Sequence, residues 1–155
     1  MNKSELQKIK NDLLSFLRNI GKNRTLFQIT KDNCSEISRY FWVEMIKKYW
    51  VQLKPFILKW TVIINKENIV HDILWFYWQE EIIIIDPTIW QFYPKSRSIL
   101  VLETERGIND CIRLINLKYK SNWEVSENLD ISMKREMNEW IEMIKGNIEE
   151  QFPSN

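Results

Sequence analysis

The sequence predicts an α+β domain, in which N-terminal helices pack on an antiparallel sheet and a further helix ends the chain. Two observations predict this class. Apolar residues recur at helical spacing near both ends of the chain. The middle of the chain instead holds consecutive runs of β-branched and aromatic residues, separated by short polar turns. Successive strands joined by short turns pair antiparallel, and the terminal helices are left to cover the sheet.

The size and composition of the chain favour one domain that spans residues 1–155. Of the 155 residues, 45% are apolar, which is enough for a core of ordinary size, and no repeat or linker divides the chain. The 22 basic residues nearly balance the 21 acidic ones, so the net charge of +1 provides no field that would attract nucleic acid or an anionic membrane. No apolar run approaches the roughly 20 residues that span a bilayer, and the N-terminus lacks the apolar stretch that secretion requires. We therefore expect a cytoplasmic protein with neither a nucleic-acid nor a membrane partner.

The first helix is predicted from Ser4 to about Ile20. Ser4 is a suitable N-cap, and Gly21 ends the apolar pattern. The next segment, Lys22 to Asp32, is too short to type and is predicted as a loop with room for an extended piece. The apolar positions of the helix recur every three or four residues: Leu6, Ile9, Leu13, Leu17 and Ile20.

A second helix is predicted to begin after Asn33 and to run to about Trp50, before Pro55. Asn33 is its predicted N-cap, and Glu36, three residues later, is the predicted capping-box partner. Cys34 is therefore expected in the first turn of this helix.

The sheet is predicted from three consecutive strands, Phe56–Asn65, Ile69–Trp78 and Ile82–Asp86. Pro87 stops the third strand because proline cannot donate a ladder hydrogen bond. Ile99–Glu103 is expected to add a fourth strand.

The remainder of the chain contains one open segment and one clear helix. Periodicity alone leaves Ile108–Leu117 open between helix and strand. The final helix is predicted from an apolar stripe, with Asp130 or Ser132 as its N-cap. That stripe consists of Met133, Met137, Trp140, Ile141, Ile144 and Ile148.

Three residues form a candidate catalytic set. A helix N-terminus lowers the pKa of a thiol from about 8.5, which favours the nucleophilic thiolate at Cys34. His71, the one histidine of the chain, is the candidate to take the proton of the thiol. Asp86 ends the next strand, and strand alternation places it on the same face as His71, where a carboxylate fixes the histidine tautomer.

These residues stand in a recognisable pattern: Asn33-Cys-Ser-Glu-Ile-Ser38, a strand that opens with His71, and Ile85-Asp-Pro-Thr88 followed by Gln91-Phe92. The pattern resembles the papain-like and transglutaminase-like superfamily, in the branch of small bacterial Cys-His-Asp proteins. The resemblance covers about Phe27 to Phe92. It implies a nucleophile-bearing helix packed on an antiparallel sheet that supplies the base and the acid.

By this resemblance, Cys34 is the nucleophile, His71 the general base and acid, and Asp86 the residue that orients His71. Gln28, six residues before Cys34, would hold the oxyanion together with the backbone amide of Cys34. The implied function is a cysteine hydrolase or acyl transferase that acts on an amide bond, of peptide or glutamine type, through a thioester. Peptidase, transglutaminase, deamidase and acyltransferase specificities all stay open. A peptide or protein substrate is expected, with no cofactor.

Other residues receive structural interpretations or lesser roles. One histidine and two distant cysteines do not make a metal site. Cys111 is predicted to be a core thiol, and Thr88 and Gln91 to complete the turn after the third strand. Trp90, in the loop after Pro87, is predicted to lie beside a substrate groove.

Two alternatives accompany the enzyme hypothesis. The first is a binding domain of inhibitor or immunity type that keeps the fold without catalysis, because Asn33 and Ser35 replace the glycine and aromatic residue that usually flank such a cysteine. The second is a maturation protease that trims a partner peptide.

Overall fold

The computed structural model describes the backbone of residues 1–49, 56–64, 67–119, 123–128 and 136–154, and the side chains of 1–49, 71–117 and 136–154. The helices and strands in these ranges form a mixed α+β architecture, which confirms the predicted class. The helices are α1 (Lys3–Gly21), α2 (Leu26–Thr30), α3 (Cys34–Tyr49), α4 (Ile108–Tyr119) and α5 (Met137–Gln151). The strands are β1 (Phe56–Ile64), β2 (Glu67–Trp78), β3 (Glu81–Ile85), β4 (Leu100–Thr104) and β5 (Trp123–Asn128).

The five strands form one antiparallel sheet in the order β4-β3-β2-β1-β5. The three predicted consecutive strands and the fourth are confirmed. Ile108–Leu117, which periodicity left undecided between helix and strand, belongs to helix α4. Strand β5, which pairs with β1 at one edge of the sheet, was not predicted. Its sequence, Trp123-Glu-Val-Ser-Glu-Asn128, has little apolar alternation, and pairing with β1 places it in the sheet.

Helices cover both faces of the sheet, and two apolar clusters result. On one face, alternate residues of β2 and β3 pack with α1, α2, α3 and α5 in the larger cluster, which includes Leu74, Phe76, Ile83 and Ile85. On the other face, the intervening residues pack with Cys111 and Ile115 of α4. The second cluster contains Ile73, Trp75, Ile82, Ile84 and Val101 in addition to the two α4 residues.

The N-terminal region differs from its prediction in two details. Asn2, rather than Ser4, caps α1, because its side chain accepts from the Glu5 amide and Glu5 completes a capping box. Within Lys22–Asp32, which was predicted as a loop, Leu26–Thr30 is helix α2, and Thr25 and Gln28 form a second capping box that begins it. Gly21 lies against α2, where an added Cβ would come within 2.2 Å of Ile29, so its small size permits the close contact.

Helix α3 begins where it was predicted to begin. The Asn33 side chain, however, has partners other than those of the predicted capping box. The carbonyl of Asn33 accepts from the Ile37 amide, while the Asn33 side chain bonds to Ile29 and Asn147. The last helix is confirmed from Met137, and its predicted caps, Asp130 and Ser132, lie outside the described residues together with Met133, Pro55 and Trp50.

None of the described helices combines the length and the apolar character that crossing a bilayer requires.

Candidate active site

Cys34 is the first residue of α3, and the turn before it is tied to two other helices. The chain leaves α2 through Asp32, whose φ of 59° lies in the left-handed region that aspartate tolerates better than most residues. The buried Asn33 side chain then donates to the carbonyl of Ile29 at 2.9 Å and accepts from Asn147 of α5 at 2.8 Å. The thiol is thus held at a helix N-terminus, and Cys34 is 8% exposed.

The register of the sheet brings His71 and Asp86 together. The paired part of β2 and β3 ends at Leu74 and Ile85. One further step would set Ile73 opposite Asp86, so His71 is the diagonal neighbour of Asp86 on the same face. His71 Nε2 lies 2.8 Å from Asp86 Oδ2, and both side chains are fully buried. The predicted pairing of these two residues is confirmed as geometry.

The second oxygen of Asp86 is held by Thr88. Oδ1 accepts from the Thr88 amide at 2.9 Å and from the Thr88 hydroxyl at 3.2 Å. The backbone amide of Asp86 donates to the carbonyl of Ile99 at 2.8 Å, at the end of the β3–β4 pairing. A buried carboxylate with donors on both oxygens keeps one orientation toward His71.

Gln91 contacts the other nitrogen of the imidazole. It lies at the end of a 3-10 turn, Ile89–Gln91, and its Nε2 is 3.1 Å from His71 Nδ1 and 2.9 Å from Thr88 Oγ1. Because an amide nitrogen can only donate, Nδ1 accepts from Gln91 when the imidazole is neutral, and Nε2 of His71 then carries the proton shared with Asp86. Asp86, His71, Gln91 and Thr88 therefore form a closed ring of hydrogen bonds.

Cys34 also reaches His71. Its thiol is among the groups that raise the pKa of the imidazole, by hydrogen bonding and by charge. Burial lowers the pKa of His71, but the charge of Asp86, its hydrogen bond and the contact with Cys34 together outweigh burial and raise the pKa to about 10. The imidazole is therefore a strong acceptor for the proton of the thiol.

A buried ion pair joins the helix of the nucleophile to the strand of the base. Arg39 of α3 donates to Asp72 Oδ2 at 3.1 Å, and it also bonds the carbonyl and the hydroxyl of Ser35. Ser38 donates to the carbonyl of Asp72 at 3.2 Å. Because Asp72 follows His71 and Ser35 follows Cys34, these bonds set the spacing between the thiol and the imidazole.

The other two predicted site residues lie elsewhere. Trp90 is 2% exposed, belongs to the larger apolar cluster and donates from its indole to the carbonyl of Ser96 at 3.1 Å. The 3-10 turn directs this side chain inward, and a role of Trp90 beside a substrate groove stays a prediction. Gln28 bonds the Thr25 amide through its side-chain oxygen, so its role at an oxyanion stays a prediction.

An open depression lies next to the imidazole of His71. Phe92 packs edge-on against the imidazole with ring centroids 4.7 Å apart. The same Phe92 lines a depression of about 630 Å³ whose wall is mainly apolar, and Tyr93 in that wall is 43% exposed. The other lining residues are Ile89, Pro94, Lys95 and Ser96.

Thr88 and Gln91 are the residues whose place in the site the sequence analysis missed. They were interpreted as turn residues, and Thr88 does help to form the turn. Their spacing from Asp86, two and five residues, was the available signal: one tight turn after a strand returns a side chain to the strand end. The predicted core position of Cys111 is confirmed, because it is fully buried, and both cysteines are free thiols.

Comparisons with protein-family models, with curated proteins and with solved structures give no match for this chain. The functional argument therefore depends on the geometry of the site.

Proposed function

We propose that this protein is a cysteine-dependent hydrolase or acyl transferase of papain-like or transglutaminase-like architecture, which cleaves an amide bond of a peptide or protein through a thioester on Cys34. One observation carries the proposal: Cys34 at a helix N-terminus is close enough to His71 to help raise the pKa of the imidazole, and His71 is in turn held by Asp86 at 2.8 Å. A thiol, a base and a group that orients the base are the parts that nucleophilic acyl transfer requires.

The first half of the reaction would acylate Cys34. The thiol gives its proton to His71 Nδ1, and Sγ attacks the carbonyl carbon, whose π electrons move to the oxygen. The tetrahedral intermediate collapses as the carbon–nitrogen bond breaks, and the proton on Nδ1 passes to the leaving amine. Asp86 stabilises the imidazolium through Nε2 and keeps Nδ1 directed at the reacting atoms.

The second half would release the acyl group. His71, again neutral, takes a proton from water or from an acceptor amine as that molecule attacks the thioester carbon. The carbon–sulfur bond then breaks, and the thiolate regains its proton from His71. Water yields a carboxylic acid, whereas an amine yields a new amide. Both outcomes use the same residues, so the acceptor decides between hydrolysis and transfer.

One experiment that detects peptide cleavage, deamidation and amine transfer tests the proposal. An unfolded, reduced protein substrate is incubated with wild type, with Cys34→Ala and with Cys111→Ala. New N-termini, released ammonia and incorporated amine are then measured by mass spectrometry. We expect one of these products with wild type and with Cys111→Ala. If Cys34→Ala gave the same product at the same rate, the proposal would be wrong.

A second candidate, from a different class, is a binding domain without catalysis. Burial favours it: Cys34 is 8% exposed, and His71 and Asp86 are fully buried. A buried thiol beside a buried His–Asp pair is also compatible with a structural polar core. This candidate predicts that Cys34 labels no faster than an ordinary buried thiol over the range where the enzyme hypothesis predicts a reactive thiolate.

A further inference from the structure

The open depression beside His71 lies where one part of a substrate would bind. Phe92 connects the depression to the imidazole, because its ring packs edge-on against that of His71, with centroids 4.7 Å apart, and also lines the depression. In the proposed reaction His71 gives a proton to the leaving amine, so the residue that carries this amine lies nearest to the imidazole. The depression therefore borders the amine side of the cleaved amide bond.

The wall of the depression suits a large apolar side chain. Four of its six lining residues are apolar or aromatic, namely Ile89, Phe92, Tyr93 and Pro94, and they border a space of about 630 Å³ that is open to solvent. Tyr93 is 43% exposed, so its ring is accessible to the ring or the aliphatic group of a bound peptide. Sites of this kind bind the apolar part of a ligand on the wall and orient it with a few polar groups.

Three cations lie on or against the loop that forms the depression. Lys95 lines it, Arg97 follows two residues later, and Lys10 of α1 donates from its ammonium group to the carbonyl of Arg97. Among the side chains that the structure describes, none of these three is paired with a carboxylate. Because complementary charge selects one partner over another, an acidic residue is expected next to the apolar side chain that the depression binds.

We propose that this depression is a specificity subsite, which binds an aromatic or large aliphatic residue on the amine side of the cleaved bond, followed by aspartate or glutamate at Lys95 and Arg97. The inference rests on the proposed thioester chemistry and deepens it, because it names the substrate class. It favours cleavage of a peptide bond over deamidation of glutamine, since ammonia as the leaving group carries no side chain that could occupy the depression.

Peptides with an N-terminal iodoacetyl group measure this recognition without any amide cleavage. The sulfur of Cys34 displaces iodide as the carbon–sulfur bond forms, and the peptide extends from the amine side of the probe's carbonyl. Three probes are compared: iodoacetyl-Phe-Glu-amide, iodoacetyl-Phe-Lys-amide and iodoacetyl-Gly-Glu-amide. Each rate at pH 7 is measured by intact mass, corrected with Cys34→Ala, and divided by the rate of iodoacetamide on the same protein, so that a change in the thiol itself cancels.

Wild type should show both preferences. We expect phenylalanine to be favoured over glycine by about tenfold, since the ring is only partly buried in an open depression. Glutamate should be favoured over lysine by about fivefold, because the charges that meet there are exposed. Tyr93→Ser removes one wall of the depression and should reduce the preference for phenylalanine to about threefold. The double variant Lys95→Glu, Arg97→Glu should reverse the preference for charge, so that the lysine probe reacts faster.

Matched controls show whether these effects belong to the depression. Tyr77→Ser removes a tyrosine of similar exposure, 42%, from β2. The double variant Lys22→Glu, Lys145→Glu makes the same change of charge at a separate cavity. Both controls should keep the preferences of wild type. Circular dichroism verifies that each variant is folded.

The result distinguishes the subsite from the proposed function. Equal relative rates for the three probes on a reactive Cys34 would overturn the subsite and leave the thioester chemistry standing. The subsite would equally be overturned if the Lys95→Glu, Arg97→Glu protein kept the wild-type order, or if the control variants altered the preferences as much as the variants of the depression. If neither iodoacetamide nor any probe labelled Cys34 faster than Cys111, the proposed function would fail, and this inference with it.

Discussion

The two cysteines of the chain lie in contrasting surroundings. Cys34 begins α3, where the helix N-terminus, His71 and Asp86 converge. Cys111 is in the first turn of α4 and packs in the smaller apolar cluster, where burial, and then the charge of Asp110, raise the pKa of its thiol. Both thiols are buried, and both lie near a helix start. The contrast teaches that two thiols can share a position near a helix start and still differ in their neighbours, since Cys34 lies near a histidine that has its own partner and Cys111 lies in an apolar cluster.

The largest effect is expected from exchanging the two thiols for hydroxyls. Cys34→Ser should lower the acyl-transfer rate by a factor on the order of 10⁴ or more, because the nucleophile, base and orienting acid act as a unit. Cys111→Ser should leave the rate within about threefold. Product formation on the unfolded protein substrate, normalised to folded protein, measures both. Equal losses in the two variants would remove the distinction between the thiols.

The next largest difference is expected between the ion pairs of α3 and α4. Arg39 joins α3 to Asp72 in a pair whose side chains are 14% and 2% exposed, whereas Arg113 of α4 pairs with Asp110 at 66% and 52% exposed. Removing one partner of a buried pair leaves an uncompensated charge, so Arg39→Met should lower the free energy of unfolding by about 3 kcal/mol. Arg113→Met should change it by less than about 0.5 kcal/mol. Urea denaturation measures both values, and equal losses would contradict the anchoring role of Arg39.

The pH dependence of stability should distinguish the Cys34 region from the rest of the molecule. The pKa of His71 is raised from 6.5 to about 10, mainly because Asp86 and Cys34 outweigh the cost of burial. A raised pKa stabilises the fold fully below the unfolded-state pKa, and this contribution is lost as the pH rises from about 6.5 to about 10. The difference in unfolding free energy between wild type and His71→Gln should therefore decrease over this window. A difference that increased with pH would show that the sign is wrong.

The smallest effect is expected from truncating the core thiol. Cys111→Ala removes one buried sulfur from the smaller apolar cluster and should lower the free energy of unfolding by about 1 kcal/mol. Alkylation of Cys34 should be unchanged, because Cys111 packs in the smaller apolar cluster, whereas α3, which begins with Cys34, packs in the larger one. Thermal denaturation and labelling of the same samples test both statements. Slower labelling of Cys34 would mean that the two faces are coupled.

The sequence predicted those helices and strands whose apolar pattern lies within one short segment of the chain. The apolar stripes of α1, α3 and α5 and the β-branched runs of β1 to β4 are properties of short segments, and alternation was sufficient to bring His71 and Asp86 together. Helix α2 depends on the capping box at Thr25, and β5 on pairing with β1, which is distant in sequence. Sequence periodicity reports such contacts poorly.

The parts of the site that were missed depend on side chains returning after a turn. Thr88 and Gln91 enter the ring with Asp86 and His71 only because the 3-10 turn reverses the chain. The same turn buries Trp90, whose position in the loop after Pro87 had suggested a place beside a substrate groove. The Arg39–Asp72 pair could not be predicted either, because it depends on how α3 crosses β2.

The most direct test of an activated Cys34 is its rate of alkylation by iodoacetamide between pH 4 and 9, with Cys111 resolved by peptide mapping as an internal reference. The account predicts that Cys34 is alkylated faster than Cys111 throughout this range and that His71→Ala removes the difference, while Cys111, whose pKa is raised by burial, reacts only at high pH. Superimposable profiles for the two cysteines, unaffected by His71→Ala, would contradict it and favour the binding domain.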